Sequence, residues 1–109
     1  MLPNAEGAYI PSEKLADYLL SETHAVGKSK ASFFRAHGYN DDNLYLLEQD
    51  LLSVPRYNEI DEHIASPYAT KYVVKGVLET PRGTTIAVDT VWIVEPLGER
   101  PRFITAYPD

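Results

Sequence analysis

The sequence predicts an α+β domain in which three short N-terminal helices pack on a three- or four-stranded antiparallel meander. Apolar residues recur at helical spacing between Pro11 and Leu52, β-branched and aromatic runs follow from Tyr68 on, and short Pro- and Gly-bearing turns separate those runs. A chain of 109 residues with 44% hydrophobic content supports one core and not two. Residues 1–109 therefore read as a single domain, with a helical half at 1–56 and a sheet half at 57–109.

The first helix is expected to open at Ser12, a good N-cap with Glu13 and Asp17 nearby, and to fray near Ser21-Glu22-Thr23. Leu15, Tyr18 and Leu19 form its apolar side. The second begins around Lys28-Ser29, buries Ala31 and Phe34, and ends before Gly38, where a left-handed residue suits a helix C-terminus. The third begins after Asn40-Asp41-Asp42, carries Leu44, Leu47 and Leu51, and stops before Pro55.

Strands are expected at 68–79, 84–95 and 102–107, with Asn58-Glu-Ile-Asp-Glu-His-Ile64 as a candidate fourth because its residues partly alternate. Thr80-Pro-Arg-Gly83 is a turn in which Gly83 should take a positive φ. Alternation puts Ile86, Val88, Thr90, Trp92 and Val94 on one face of the middle strand and Ala87, Asp89, Val91 and Ile93 on the other. Trp92 is thus expected in the core. In the last strand Thr105 and Tyr107 point together, so hydroxyl groups of Thr90, Thr105 and Tyr107 come from neighbouring strands. Good β-propensity alone also accounts for these three.

Composition narrows the function classes. No cysteine is present, which removes disulfides and thiolate metal sites. His24, His37 and His63 show neither HxxxH nor HExxH spacing, so no metal or other cofactor is expected. No apolar run approaches the roughly 20 residues of a membrane span, and Met1-Leu-Pro-Asn-Ala-Glu6 lacks the pattern of a signal peptide. The expected location is the cytoplasm. A formal charge of −6 argues against holding nucleic acid by bulk electrostatics. The charge is uneven, however: residues 1–66 carry five Lys/Arg against eleven Asp/Glu, whereas residues 67–109 carry five of each. That acidic excess is a solvated face or a place where a basic partner docks.

Against this background the stretch His24-Ala-Val-Gly-Lys28-Ser-Lys30-Ala-Ser-Phe-Phe-Arg35 stands out, since it gathers a histidine and three cations at a helix start. Free N–H groups of a first helical turn favour an anion. The same residues also fit ordinary capping and solvation of a helix entry.

Several segments together resemble an uncharacterised bacterial domain family found alone or at the C-termini of polymorphic toxins and filamentous haemagglutinin-like proteins. They are Leu2-Pro-Asn-Ala-Glu6, Leu15 to Leu20, His24-x-Val-Gly-Lys-Ser-Lys-Ala31 with Phe33-Phe34, Thr70-Lys-Tyr-Val-Val-x-Gly76, Thr90-Val-Trp92 and Thr105-Ala-Tyr-Pro108. The order of helices and sheet, with His and Lys near a helix and Thr and Tyr on late strands, is also similar to the metal-independent ribonuclease superfold of EndoU-like nucleases, colicin-type tRNases and RelE-type toxins. This second likeness implies an endoribonuclease toxin acting on tRNA or mRNA, delivered into or made in the cytoplasm, and restrained by an antitoxin or immunity protein.

Such chemistry needs a base for the 2′-hydroxyl, an acid for the leaving oxygen and a cation for the phosphorane charge. The resemblance then implies His24 as base or acid, Lys28 as phosphate ligand, and Thr90, Thr105 and Tyr107 as phosphate-orienting or base-stacking groups, with Lys30, Arg35 and Lys71 holding substrate. The chain departs from that pattern in having one histidine in the motif and an acidic total charge. An acidic binding module, such as an antitoxin or immunity protein covering a basic toxin, is the competing expectation.

Overall fold

The computed structural model describes residues 1–23, 28–98 and 100–109, with Lys28 described through its backbone. After a short helical turn at Ala5–Gly7, residues Ser12–Lys14 form a 3-10 turn that runs directly into a π-helical turn, Leu15–Leu19. Helix α1 spans Lys28–Ala36 and helix α2 spans Leu44–Tyr57. Four strands follow, β1 at Ile60–Ala65, β2 at Thr70–Glu79, β3 at Thr85–Val94 and β4 at Arg102–Pro108. They pair antiparallel in the order β1-β2-β3-β4, the expected meander with its fourth strand present.

Two helical expectations need correction. The first helix is not a regular α-helix: Leu20 N–H bonds to the Leu15 carbonyl at 2.9 Å, one residue further back than α geometry allows. This wider turn buries Leu15, Leu19 and Leu20 at once and leaves Tyr18 at the rim. The α2 helix does not stop before Pro55 but continues through it to Tyr57. Pro55 lies in the last turn, where it removes one N–H. The Asn58 side-chain amide then donates to the Val54 carbonyl at 2.9 Å, satisfying an acceptor at the helix end.

The core lies between the helices and one face of the sheet. Leu47, Leu51 and Val54 recur at helical spacing along α2 and meet Val74 and Leu78 of β2. Close contact is possible because a Cβ at Gly76 would stand 2.8 Å from Val54 Cγ1. Phe34 of α1 joins the same cluster, and α1 ends before Gly38, whose φ of +99° is the left-handed value expected. Trp92 is fully buried and packs edge-on against Phe103, with ring centroids 5.3 Å apart.

Strand register sorts the side chains. Thr90 faces Ala106 and Val74, so it belongs to the helix-covered face. Asp89 faces Lys75 and Tyr107, and Val91 faces Val73 and Thr105, so these residues share the opposite face with Glu62, Ile64 and Lys71. The turn joining β2 to β3 closes through Gly83 N–H to the Thr80 carbonyl at 2.9 Å, and Gly83 has φ of +80°, as its position requires. At the β4 edge, Tyr9 pairs parallel with Arg102, its N–H bonding to the Pro101 carbonyl and its carbonyl accepting from Phe103 N–H, each at 3.0 Å.

Candidate functional site

The π-helical turn aims Tyr18 at the edge strand. Its hydroxyl lies 3.0 Å from Thr105 Oγ1 on β4, a bond between residues 87 apart in sequence. Two ammonium groups flank the ring. Lys14 Nζ, one turn earlier, stands 4.7 Å from the ring centroid, and Lys30 Nζ, in the first turn of α1, stands 5.5 Å away. Partial burial works against ionisation of the Tyr18 hydroxyl, but the hydrogen bonds to Thr105 and Lys30 and the charges of Lys30 and Lys14 outweigh it. The hydroxyl is therefore held below the ordinary tyrosine value of 10.0. In a chain of net charge −6, this is a local concentration of cations around a polarised hydroxyl. Such a set can hold an anion and exchange a proton with it.

Only part of the residue set expected from sequence comes together here. Thr105 and Lys30 do so. His24 lies outside the described residues, and Lys28 contributes its place as the first residue of α1, next to Lys30 in the same helical turn.

Thr90 does not reach this site. Its hydroxyl is fully buried on the opposite sheet face, donates to the Val74 carbonyl at 2.8 Å and accepts from Trp92 Nε1 at 2.8 Å. Neighbouring strand residues point to opposite sides, so Thr90 and the pair Thr105 and Tyr107 are separated by the sheet itself.

Arg35 is committed to the fold. Its Nε and Nη2 donate to the Leu20 carbonyl at 2.9 and 2.6 Å, and it pairs with Asp41 at 3.1 Å and Glu22 at 3.4 Å. Lys71 is exposed on the outer face, paired across strands with Ile64 and Ile93. Tyr107 shares that outer face but lies beside Asp89. Partial burial and then the charges of Asp89 and Glu62 raise its hydroxyl above 10.0, opposite in direction to Tyr18.

Sequence reasoning missed Lys14 and Tyr18. Their spacing of four was visible, but Tyr18 lay within the apolar stripe of Leu15 and Leu19 and counted as core. The other histidines have structural contacts: His37 Nδ1 lies 2.9 Å from Thr84 Oγ1, and the His63 ring leans on Tyr72. Among the described residues no group of three or more His, Asp or Glu side chains is arranged to hold a metal ion.

No curated protein matches the chain. A solved structure titled "Contact-dependent growth inhibition toxin - immunity protein complex from Klebsiella pneumoniae 342" contains a chain with the same fold. The identity is 19%, the TM-score 0.76, and 96% of each chain is covered. Over residues 1–109 the sequence matches the family model described as "Domain of unknown function (DUF6883)", and the chain belongs to that family.

Proposed function

We propose that this domain is a metal-independent endoribonuclease toxin of a bacterial toxin–immunity system, acting on tRNA or mRNA and neutralised by a cognate protein. The observation that carries the reading is the Tyr18 hydroxyl bound to Thr105 and flanked by Lys14 and Lys30. Cleavage of RNA without metal needs a cation for the phosphorane and groups that move protons to and from sugar oxygens. In this reading Lys14 and Lys30 hold the phosphate, Tyr18 moves or positions a proton, and Thr105 fixes the Tyr18 rotamer. His24, which precedes α1 in the same stretch of sequence as Lys28 and Lys30, supplies the second acid or base. The full-length fold match to a chain from a toxin–immunity complex supports the system, though not the role within it.

A second reading, an acidic immunity or antitoxin module, is favoured by the net charge of −6. One experiment separates them. Expressed alone in bacteria, a toxin arrests growth, and the purified chain cleaves tRNA or mRNA at defined 5′ ends in the presence of EDTA. Tyr18→Phe, Lys30→Ala and His24→Ala should each lower the cleavage rate by about 10²–10⁴, whereas His37→Ala and His63→Ala should not. A chain that leaves growth and RNA intact, and protects cells from a co-expressed basic toxin, is the immunity module instead.

A further inference from the structure

The sheet face turned away from the helices contains a carboxylate that hydrogen-bonds a second carboxylate, Asp109, and keeps one oxygen without a partner. Asp89 sits in the middle of β3, between Lys75 on β2 and Tyr107 on β4. It is only 9% exposed, and its Oδ1 has no hydrogen-bond partner. Buried polar atoms are almost always paired, so an orphan at the centre of a regular strand calls for a reason.

The neighbouring ammonium of Lys75 does not supply a hydrogen-bond partner. Lys75 Nζ is 3.1 Å from Asp109 Oδ1 and is committed there. Burial, followed by the hydrogen bond and charge of Asp109, makes Asp89 hold its proton more tightly than the usual 3.8. The field of Asp61 reaches both Asp89 and Lys75, and that of Glu62 reaches Tyr107. Three carboxylates, Asp109, Asp89 and Asp61, thus act on one lysine.

Apolar surface frames this acidic centre. Val73 and Val91 lie beside it, Val77 is 60% exposed, and Ile64 is 56% exposed on the same face. A desolvated charge, an aromatic ring and an apolar surround form half of a protein–protein hot spot; the missing half is a cation.

We propose that this outer sheet face docks a protein partner that inserts a lysine or arginine side chain against Asp89, with apolar side chains around it on Val73, Val77 and Ile64. Nucleic acid is repelled by the same carboxylates, and the partner's charge is set by them. The proposal does not depend on the ribonuclease reading, because a toxin and an immunity protein alike need a surface of this kind.

The test is a selection of random dodecapeptides displayed on phage against the immobilised full chain. Enriched peptides are then synthesised and titrated against the parent, Asp89→Asn, Glu62→Gln and Lys30→Ala. The expected consensus carries Lys or Arg among apolar residues. Its affinity should fall about tenfold or more in Asp89→Asn and in Glu62→Gln and stay unchanged in Lys30→Ala. Circular dichroism verifies that each variant is folded, and Glu62 is exposed, so at least that arm is free of packing effects. Enriched peptides without a cation, equal binding by both acidic variants, or saturable binding of magnesium or calcium chloride at Asp89 would each overturn it. Loss of RNA cleavage in the Tyr18 variants with peptide binding retained, or the reverse, tells the two readings apart.

Discussion

At the scale of single residues, Thr90 and Trp92 are one unit. The indole N–H ends on Thr90 Oγ1, whose own proton goes to the Val74 carbonyl, so the polar atom of the largest buried side chain is satisfied inside the core. Thr90→Val keeps the volume and removes the acceptor. It should cost about 1–3 kcal/mol, the penalty of leaving a buried donor unpaired, measured as a shift in the urea midpoint at unchanged slope. A midpoint equal to the parent's would mean that the indole finds another acceptor. Alternation alone made the burial of Trp92 legible, because a period of two needs no partner strand. The function of Thr90 was not legible, since a hydroxyl can serve a core, a turn or a site, and only the register with Ala106 and Val74 shows which face it takes.

Among elements, the expected order of helices and strands was readable from periodicity, while departures arose where local hydrogen bonding overrides it. A π turn is invisible to spacing rules because it shifts one residue in a stripe that remains apolar. That shift moved Tyr18 from the core stripe to the β4 edge. Pro55 misled for a related reason: proline ends helices by removing an N–H, but within the final turn Asn58 compensates at the neighbouring carbonyl. Turn glycines gave a firmer signal. Gly38 and Gly83 both adopt positive φ, but they differ in surroundings. A Cβ on Gly38 would stand 3.0 Å from Arg82 Cγ and 3.1 Å from Pro81 Cβ, whereas one on Gly83 meets nothing within 4 Å. Gly83→Ala should therefore cost about 1–2 kcal/mol, the backbone strain alone. Gly38→Ala should cost more, because it also separates the end of α1 from the β2–β3 turn. Calorimetry on both variants checks the order, and equal losses would show that the turn simply moves aside.

For the molecule as a whole, charge was the most informative and the most misleading quantity. The total of −6 was plain from composition, but assigning the excess to residues 1–66 as one solvated face missed that Asp61 acts on Asp89, and Glu62 on Tyr107, within the sheet. The pH dependence of stability should follow from that group. Asp89 has a raised folded value, so its contribution to stability is present at low pH and lost as pH rises through that value. Above that value the parent chain therefore carries the cost of a largely buried carboxylate held beside the Asp109 charge. Asp89→Asn should melt several degrees higher than the parent at neutral pH, and the gain should shrink as pH falls toward the ordinary 3.8. A constant difference across that range would point to packing and not to titration. On the proposed docking of a cation at Asp89, such a cost is a stability–function trade-off. The candidate site was half legible for a similar reason: the lysines are local to the sequence, but Thr105 joins Tyr18 only after the last strand docks. The same long closure governs when the domain can exist at all. Because residues 8–10 zip onto residues 101–103, a nascent chain lacking β4 leaves Trp92 without Phe103 and the N-terminal segment without its strand. Assembly of the core and of the N-terminal segment then waits on the same strand, a long-range closure that sets a slow step in folding.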